Sequence, residues 1–248
     1  MLNAPHPRLP SRMKRLATLI PADPSGTPKG DTNEARLWNP TFNLLRDDPQ
    51  TLPGLHTSGF VLRCWSGWTS DDPTDPDPAR WSPQTFNALH AACTNFFHLY
   101  PSVQLILRNH HRHVLHDHHT LLRFAQRWEQ APHGNLSFLI DPASWLTAQM
   151  IPDYEDHLAR TAEGLEGTPM WRELMLTNLA PDAEQDPLST EKLGIDIGPP
   201  MRQAPLHRGL LDARRMVKIL SDPIGRADTV VLSPGDRLAQ TEFLPAVP

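Results

Sequence analysis

The chain of 248 residues reads as an α/β protein built on a parallel sheet with helical crossovers. Three observations carry that reading. Short apolar runs end abruptly in polar side chains: 103–107 before Arg108-Asn109-His110, 136–140 before Asp141, 174–176 before Thr177-Asn178, and 229–232 before Ser233. Helical patterns lie between these runs, and alternation of the two types implies βα units. The length also suits a single α/β barrel, which typically needs about 250 residues. In such folds the strand ends point into the site, because helices cover the sheet elsewhere. An open doubly wound sheet is the competing architecture. The chain has no G-x-G-x-x-G and no G-x-x-x-x-G-K-[ST] run, which counts against a dinucleotide or P-loop reading.

The elements follow in order. Residues 1–13 read as a frayed arm on one domain spanning 1–248. Residues 15–20 are an apolar run stopped by Pro21, a first strand. Pro, Gly, Ser and Asp mark 22–32 as a loop, 35–38 as a short strand and 42–45 as one helical turn. Residues 59–65 form a strand. The repeated Asp-Pro steps at Asp72, Asp75 and Asp77 form a turn-rich loop whose prolines keep the carboxylates from converging on a cation. Ser82 is an N-cap with Pro83 at the first helical position, and Phe86, Leu89, Cys93, Phe96 and Phe97 share one face. Asp117 caps a second helix with Leu121, Leu122, Ala125 and Trp128 inward. Asp153 caps a third with Leu158, Ala162 and Leu165 inward. Residues 181–205 read as a Pro/Gly-rich loop, and 210–220 as a helix presenting Leu210, Leu211, Met216, Val217 and Leu220. Arg214, Arg215 and Lys218 on that helix read as its solvated face.

Composition removes several classes of function. A formal charge of −5 leaves no electrostatic footprint for nucleic acid or an acidic membrane surface. No stretch approaches the roughly 18 apolar residues of a membrane span. Two cysteines, Cys64 and Cys93, are too few for a disulfide scaffold and read as buried, inert thiols. The basic start lacks an apolar segment before a small-residue cleavage site, so a cytoplasmic location is expected. The 27 prolines, about twice the usual share, imply long, stiffened loops.

The succession of strand-Arg108-Asn109-His110, helix, strand-Asp141-Pro142, helix, strand-Thr177-Asn178, helix and strand-Ser233-Pro234 resembles the xylose isomerase-like TIM barrels. These are the sugar (phosphate) isomerase/epimerase and endonuclease IV-like (β/α)8 proteins, and the resemblance covers roughly residues 59–236. Residues 1–58 are short and proline-rich for the usual opening units, so the expected barrel is incomplete or distorted in its N-terminal quarter.

The resemblance implies a divalent metal (Mn²⁺, Mg²⁺ or Zn²⁺) held by a Glu, an Asp, a His and a second Glu from four strand ends. There it polarises sugar oxygens while carboxylates move protons. The sequence departs from that set. Arg108 stands in place of the first Glu of a Glu-Asn-His end, Asp141 is kept, Met175 aligns with the His, Asn178 with an Asp, and Ser233 with the last Glu. Arg108 and Asp141 are expected to pair and fill the vacated metal position. A metal, if present, would fall to Asp141 and His110.

Asp141 and His110 are the candidate catalytic residues, and Arg63, Trp65, Arg108, Asn109 and Asn178 the candidate substrate-binding residues. An aromatic beside an arginine, as at Arg63, Trp65 and Trp68, suits stacking on a sugar ring; packing under a loop is the alternative. His110, His111, His113, His116, His118 and His119 crowd around Asp117. They span a strand end, a loop and a helix start, so most rings diverge, and a solvated loop with one or two site-facing rings is expected. Three functions follow from these residues. One is a barrel without metal catalysis that binds a small sugar, polyol or sugar phosphate; another is an active metal-dependent isomerase or epimerase. The third is a scaffold whose proline-rich loops make contacts.

Overall fold

The computed structural model describes residues 15–21, 35–52, 55, 59–69, 78–181 and 201–244. The Asp-Pro steps and residues 182–200 lie outside these.

Among the described residues there are eight strands: β1 (Arg15–Pro21), β2 (Ala35–Trp38), β3 (Val61–Trp65), β4 (Gln104–Arg108), β5 (Asn135–Ile140), β6 (Trp171–Pro181), β7 (Met201–Pro205) and β8 (Thr229–Leu232). Their order across the sheet is β2-β1-β8-β6-β5-β4-β3, with every neighbour in that path parallel. The order therefore rises round a ring. Its two edges meet again, because the Asn39 amide donates to the Arg63 carbonyl at 2.8 Å and the Trp38 and Trp65 rings stand edge to face at 4.8 Å. Seven parallel strands thus curl into a barrel whose β2–β3 seam is closed by one backbone hydrogen bond and an aromatic contact instead of a full ladder. The doubly wound alternative is excluded by this order.

The N-terminal quarter supplies β1 and β2, and residues 22–34 between them, expected to include a loop over 22–32, lie outside the described residues. A second departure lies late in the chain. β7 pairs antiparallel with the far half of β6, Thr177 opposite Pro205 and Pro181 opposite Met201, outside the parallel ring. Here 201–205, expected as loop, forms a strand.

The helices are α1 (Pro83–Leu99), α2 (His118–Gln130), α3 (Tyr154–Glu166), α4 (Ala213–Ile219), α5 (Ser221–Arg226) and α6 (Arg237–Thr241). Ser82 caps α1 through its hydroxyl, which accepts from the Thr85 amide at 3.2 Å, with Pro83 just inside. Asp117 and Thr120 form a reciprocal capping box at α2. Phe124, not Leu122, completes the buried face of α2. The helix expected over 210–220 begins at Ala213, because Asp212 accepts from the Arg214 and Arg215 amides and so sets the cap. Leu210 is consequently exposed.

The apolar residues divide into two cores. The larger lies between sheet and helices, with Leu89, Phe96, Phe124, Trp128, Phe138 and Leu176 among its members. The smaller fills the barrel: Leu19, Ile106, Leu139, Met175 and Val231, one from each of five strands, with Trp38 and Val61 against them. Successive residues of a strand face opposite sides, so this layer fixes which side chains point inward. Cys64 and Cys93 are fully buried free thiols, and burial pushes the Cys64 thiol up to about 12, which leaves it protonated and inert. Among the described residues no helix is long and apolar enough to cross a membrane.

Candidate functional site

The inward positions one pair beyond the apolar layer gather at the carboxyl ends of the strands: Trp65 of β3, Arg108 of β4, Asp141 after β5 and Thr177 of β6. Asp141 is fully buried and accepts from three donors. Its Oδ2 takes Arg108 Nη2 at 2.7 Å and Gln203 Nε2 at 2.8 Å, and its Oδ1 takes Thr177 Oγ1 at 2.7 Å. Arg108 Nη2 also donates to Gln203 Oε1, which closes a three-membered polar ring. The guanidinium carbon lies 4.9 Å from the centre of the Trp38 ring and 4.5 Å from that of Trp65. Burial lowers the Arg108 pKa, and the carboxylate of Asp141 opposes that shift. A buried cation is tolerable here because an anion and two π faces replace its water. Arg108 and Asp141 therefore meet as expected, through one charge-assisted bond and a shared glutamine instead of a two-bond fork.

The other expected site residues separate. Asn109 is a tie between strand ends: its Oδ1 accepts from the Asp141 amide at 2.7 Å, and its Nδ2 donates to the Asp141 carbonyl and the Ser144 hydroxyl. It holds Asp141 in place and is itself buried. Asn178 faces away from Thr177, toward the helices. Its Nδ2 donates to the Leu206 and Leu211 carbonyls at 3.1 and 2.8 Å, and its Oδ1 accepts from the Leu211 amide. Asn178 thus organises the β7–α4 connection. Arg63 turns across the barrel, where Nε and Nη2 each bind a Glu173 carboxylate oxygen at 2.8 Å. Trp65 remains half-buried beside Arg108, edge-on to the His110 and His113 rings.

The histidine-rich run departs from its expected solvated form, because residues 112–115 are buried. Backbone and side-chain bonds pin this strap to its neighbours: the His111 amide to the Ser144 carbonyl, the Val114 amide to the Gly67 carbonyl, and the Leu115 amide to the Ser66 hydroxyl. His113 stacks on Trp68 at 5.3 Å, so Trp68 packs beneath the strap. His110 lies over His111 at 4.3 Å. Its Nδ1 accepts from the Arg112 amide, which places the remaining proton on Nε2. His111 Nδ1 meets the Ser144 carbonyl at 3.0 Å, and a carbonyl can only accept, so that nitrogen carries the proton. Desolvation, then His111 and His113 and the nearby arginines, push His110 well below the usual imidazole range. Desolvation and Arg112 bring His111 to about 4 against the opposing pull of the Ser144 carbonyl. Both rings are neutral near pH 7. Among the described residues no three His, Cys, Asp or Glu side chains stand where a metal ion could be held.

Four residues brought together here were not among the expected site residues: Trp38, Thr177, Gln203 and Glu173. Gln203 sits in a stretch that reads as loop, and nothing local marks it. Glu173, like Arg63, is a charged residue within a strand run, and only the packing shows that the two face each other.

No family model matches the sequence, and no curated protein is similar to it. Solved structures similar to this one include a xylose isomerase-like TIM barrel protein from Mycobacterium smegmatis in complex with magnesium. It is 12% identical with a TM-score of 0.41, and the match covers 74% of this chain and 58% of that one. The chain thus spans little more than half the length of that relative. A D-psicose 3-epimerase in the presence of D-fructose is 13% identical, TM-score 0.44, with 85% and 69% covered. D-psicose 3-epimerase from Clostridium cellulolyticum H10 with D-tagatose is 12% identical, TM-score 0.43, with 84% and 68% covered. The barrel assignment rests on the strand order described above.

Proposed function

We propose that this is a sugar isomerase/epimerase-like barrel in which a fixed guanidinium has taken the place of a divalent metal, and that its mouth receives a small sugar or polyol. The observation that carries this reading is the Arg108–Asp141 bond, enclosed by Trp38, Trp65 and Gln203. The donor set does not fit a divalent ion. Asp141 already accepts three hydrogen bonds, and a metal at the carboxylate would sit beside a buried guanidinium whose repulsion is poorly screened. Met175 belongs to the apolar layer, and Ser233 offers a neutral hydroxyl.

What remains at the mouth suits an uncharged, hydroxyl-rich ligand. Trp38, Trp65, His110 and Gln203 are half-buried, and together offer aromatic surface and neutral polar groups. The positive charge of Arg108 is offset by Asp141. If chemistry occurs, His110 is the group free to exchange a proton, its neutral ring carrying hydrogen on Nε2, while Asp141 anchors Arg108. Asn109 acts by positioning Asp141.

Metal analysis of tag-free protein, with thermal melts in Mn²⁺, Zn²⁺ and EDTA, tests the metal half of the reading. No stoichiometric metal and no shift in melting temperature are expected for the wild type. A bound metal, or a Mn²⁺ shift that disappears in Asp141→Asn, would instead support a metal-dependent isomerase. Calorimetric titration with D-fructose, D-tagatose and sorbitol tests the ligand half. Saturable binding that Trp65→Ala weakens is expected, and no heat with any of the three would remove it.

A further inference from the structure

A groove of about 410 Å³ opens on the outer helical layer, between the start of α1 with its preceding turn and the solvent side of α2. It shares no residue with the ring of Arg108, Asp141, Thr177 and Gln203. Among the described residues its lining includes Arg80, His116, Arg123 and Arg127. Arg80 is buried in the wall, donating to the Arg112 carbonyl. Arg123 lies over the Phe86 ring at 5.5 Å, and Arg127 donates to the Asn87 amide oxygen. Among the described residues neither Arg123 nor Arg127 has a carboxylate partner.

Helical spacing explains the arrangement. Arg123, Gln126, Arg127 and Gln130 recur at three and four residues, on the face of α2 opposite its buried Leu121, Phe124, Ala125 and Trp128. The 17-residue α1 brings the positive end of its dipole to the other wall. Trp81, 43% exposed, stands 5.8 Å from the His116 ring and supplies a flat surface at the entrance. Two exposed guanidiniums, an exposed indole and a volume in the range of small-molecule sites coincide in one place.

We propose that this groove is a second binding site, separate from the barrel mouth, for a small phosphomonoester carrying a flat ring. The phosphate lies between Arg123 and Arg127, where two guanidiniums match a dianion better than they match a single carboxylate. The ring lies against Trp81.

Titrations of the full chain with adenosine monophosphate, inorganic phosphate and adenosine, read by calorimetry and melting temperature, test it. Adenosine monophosphate should bind saturably and raise the melting temperature, phosphate should bind more weakly, and adenosine should give no shift. The double variant Arg123→Gln/Arg127→Gln, whose side chains lie on the exposed face of α2, should melt like the wild type without ligand. It should lose about tenfold or more in affinity for the monophosphate. Trp81→Ala should weaken the monophosphate while leaving phosphate unchanged. No binding at millimolar concentration, equal affinity in the double variant, or equal competition by any polyanion such as heparin would each overturn the proposal.

Discussion

His111 and His110 are neutral for the same physical reason: rings enclosed among Ser144, Trp65 and neighbouring arginines lose more by shedding water than they gain by charging. Their folded-state pKa values lie below the unfolded value near 6.5, so the unfolded chain binds more protons than the folded one on the acid side of 6.5, for His111 between about 4 and 6.5. The stabilisation from neutral burial is fully present above pH 6.5 and is lost as the pH falls through that window. For His111 the slope approaches one proton, roughly 1 kcal/mol per pH unit, and His110 adds to it in the same direction. Urea unfolding at pH 5.0, 5.5, 6.0 and 6.5 measures it. His111→Asn, which can still donate to the Ser144 carbonyl, should lower the slope; an unchanged slope would place the titration elsewhere. Asp141 shows how far one residue was legible. Its position at a strand end and its pairing with Arg108 follow from the order of residues, whereas Gln203 comes from a stretch that reads as loop, and the strand end at Thr177-Asn178 left open which of its two side chains would reach Asp141.

Among the elements, the caps were the most legible parts, because a cap is a contact over three residues. Ser82, Pro83 and Asp117 stand where local chemistry puts them, whereas Asp153 precedes α3 without a side-chain cap bond. Asp117→Ala should cost about 1 kcal/mol and fray the first turn of α2, seen as faster hydrogen exchange there with the rest of the pattern unchanged. β7 was illegible, because a five-residue strand exists only through its antiparallel partner β6. The connection that follows it depends on Asn178, which binds the backbone at Leu206 and Leu211. A Cβ on Gly209 would come within 2.3 Å of the Asn178 side chain, so only glycine allows the loop to close over it. Asn178→Ala leaves buried backbone groups without partners and should destabilise the protein by about 2–4 kcal/mol. Exchange protection should fall over 206–211 first. Unchanged protection there would show that the loop is held by other means.

At the scale of the whole molecule, the barrel interior is layered. An apolar plane of Leu19, Ile106, Leu139, Met175 and Val231 lies beneath the polar ring of the mouth, and the Arg63–Glu173 pair spans the interior between β3 and β6. Both pair members are buried, so removing one leaves a charge without its partner. Glu173→Ala should cost about 3–5 kcal/mol, and the double change Arg63→Met/Glu173→Leu should recover most of it, since an apolar replacement of a buried pair is often neutral. Equilibrium unfolding of both variants checks this; equal loss in the two would mean that the pair organises the barrel in a way that apolar packing cannot replace.

The order of residues determined the parallel strands, most of the inward faces of the first three helices, the caps at Ser82 and Asp117, and the placing of Arg108 and Asp141 at neighbouring strand ends. Each of these depends on side chains within one or two turns or one strand of each other. The tertiary structure alone decided which face of each strand lines the barrel. Thr177 and Asn178 must point in opposite directions, but only the packing of Met175 into the lumen selects Thr177 for Asp141 and sends Asn178 to the loop. It alone also turned Arg63 toward Glu173, folded β7 back on β6 to bring Gln203 to the mouth, and buried the histidine-rich strap between Trp68 and Ser144. These outcomes depend on pairings across more than twenty residues, where the free energy of a contact is set by what the rest of the fold has already placed opposite it.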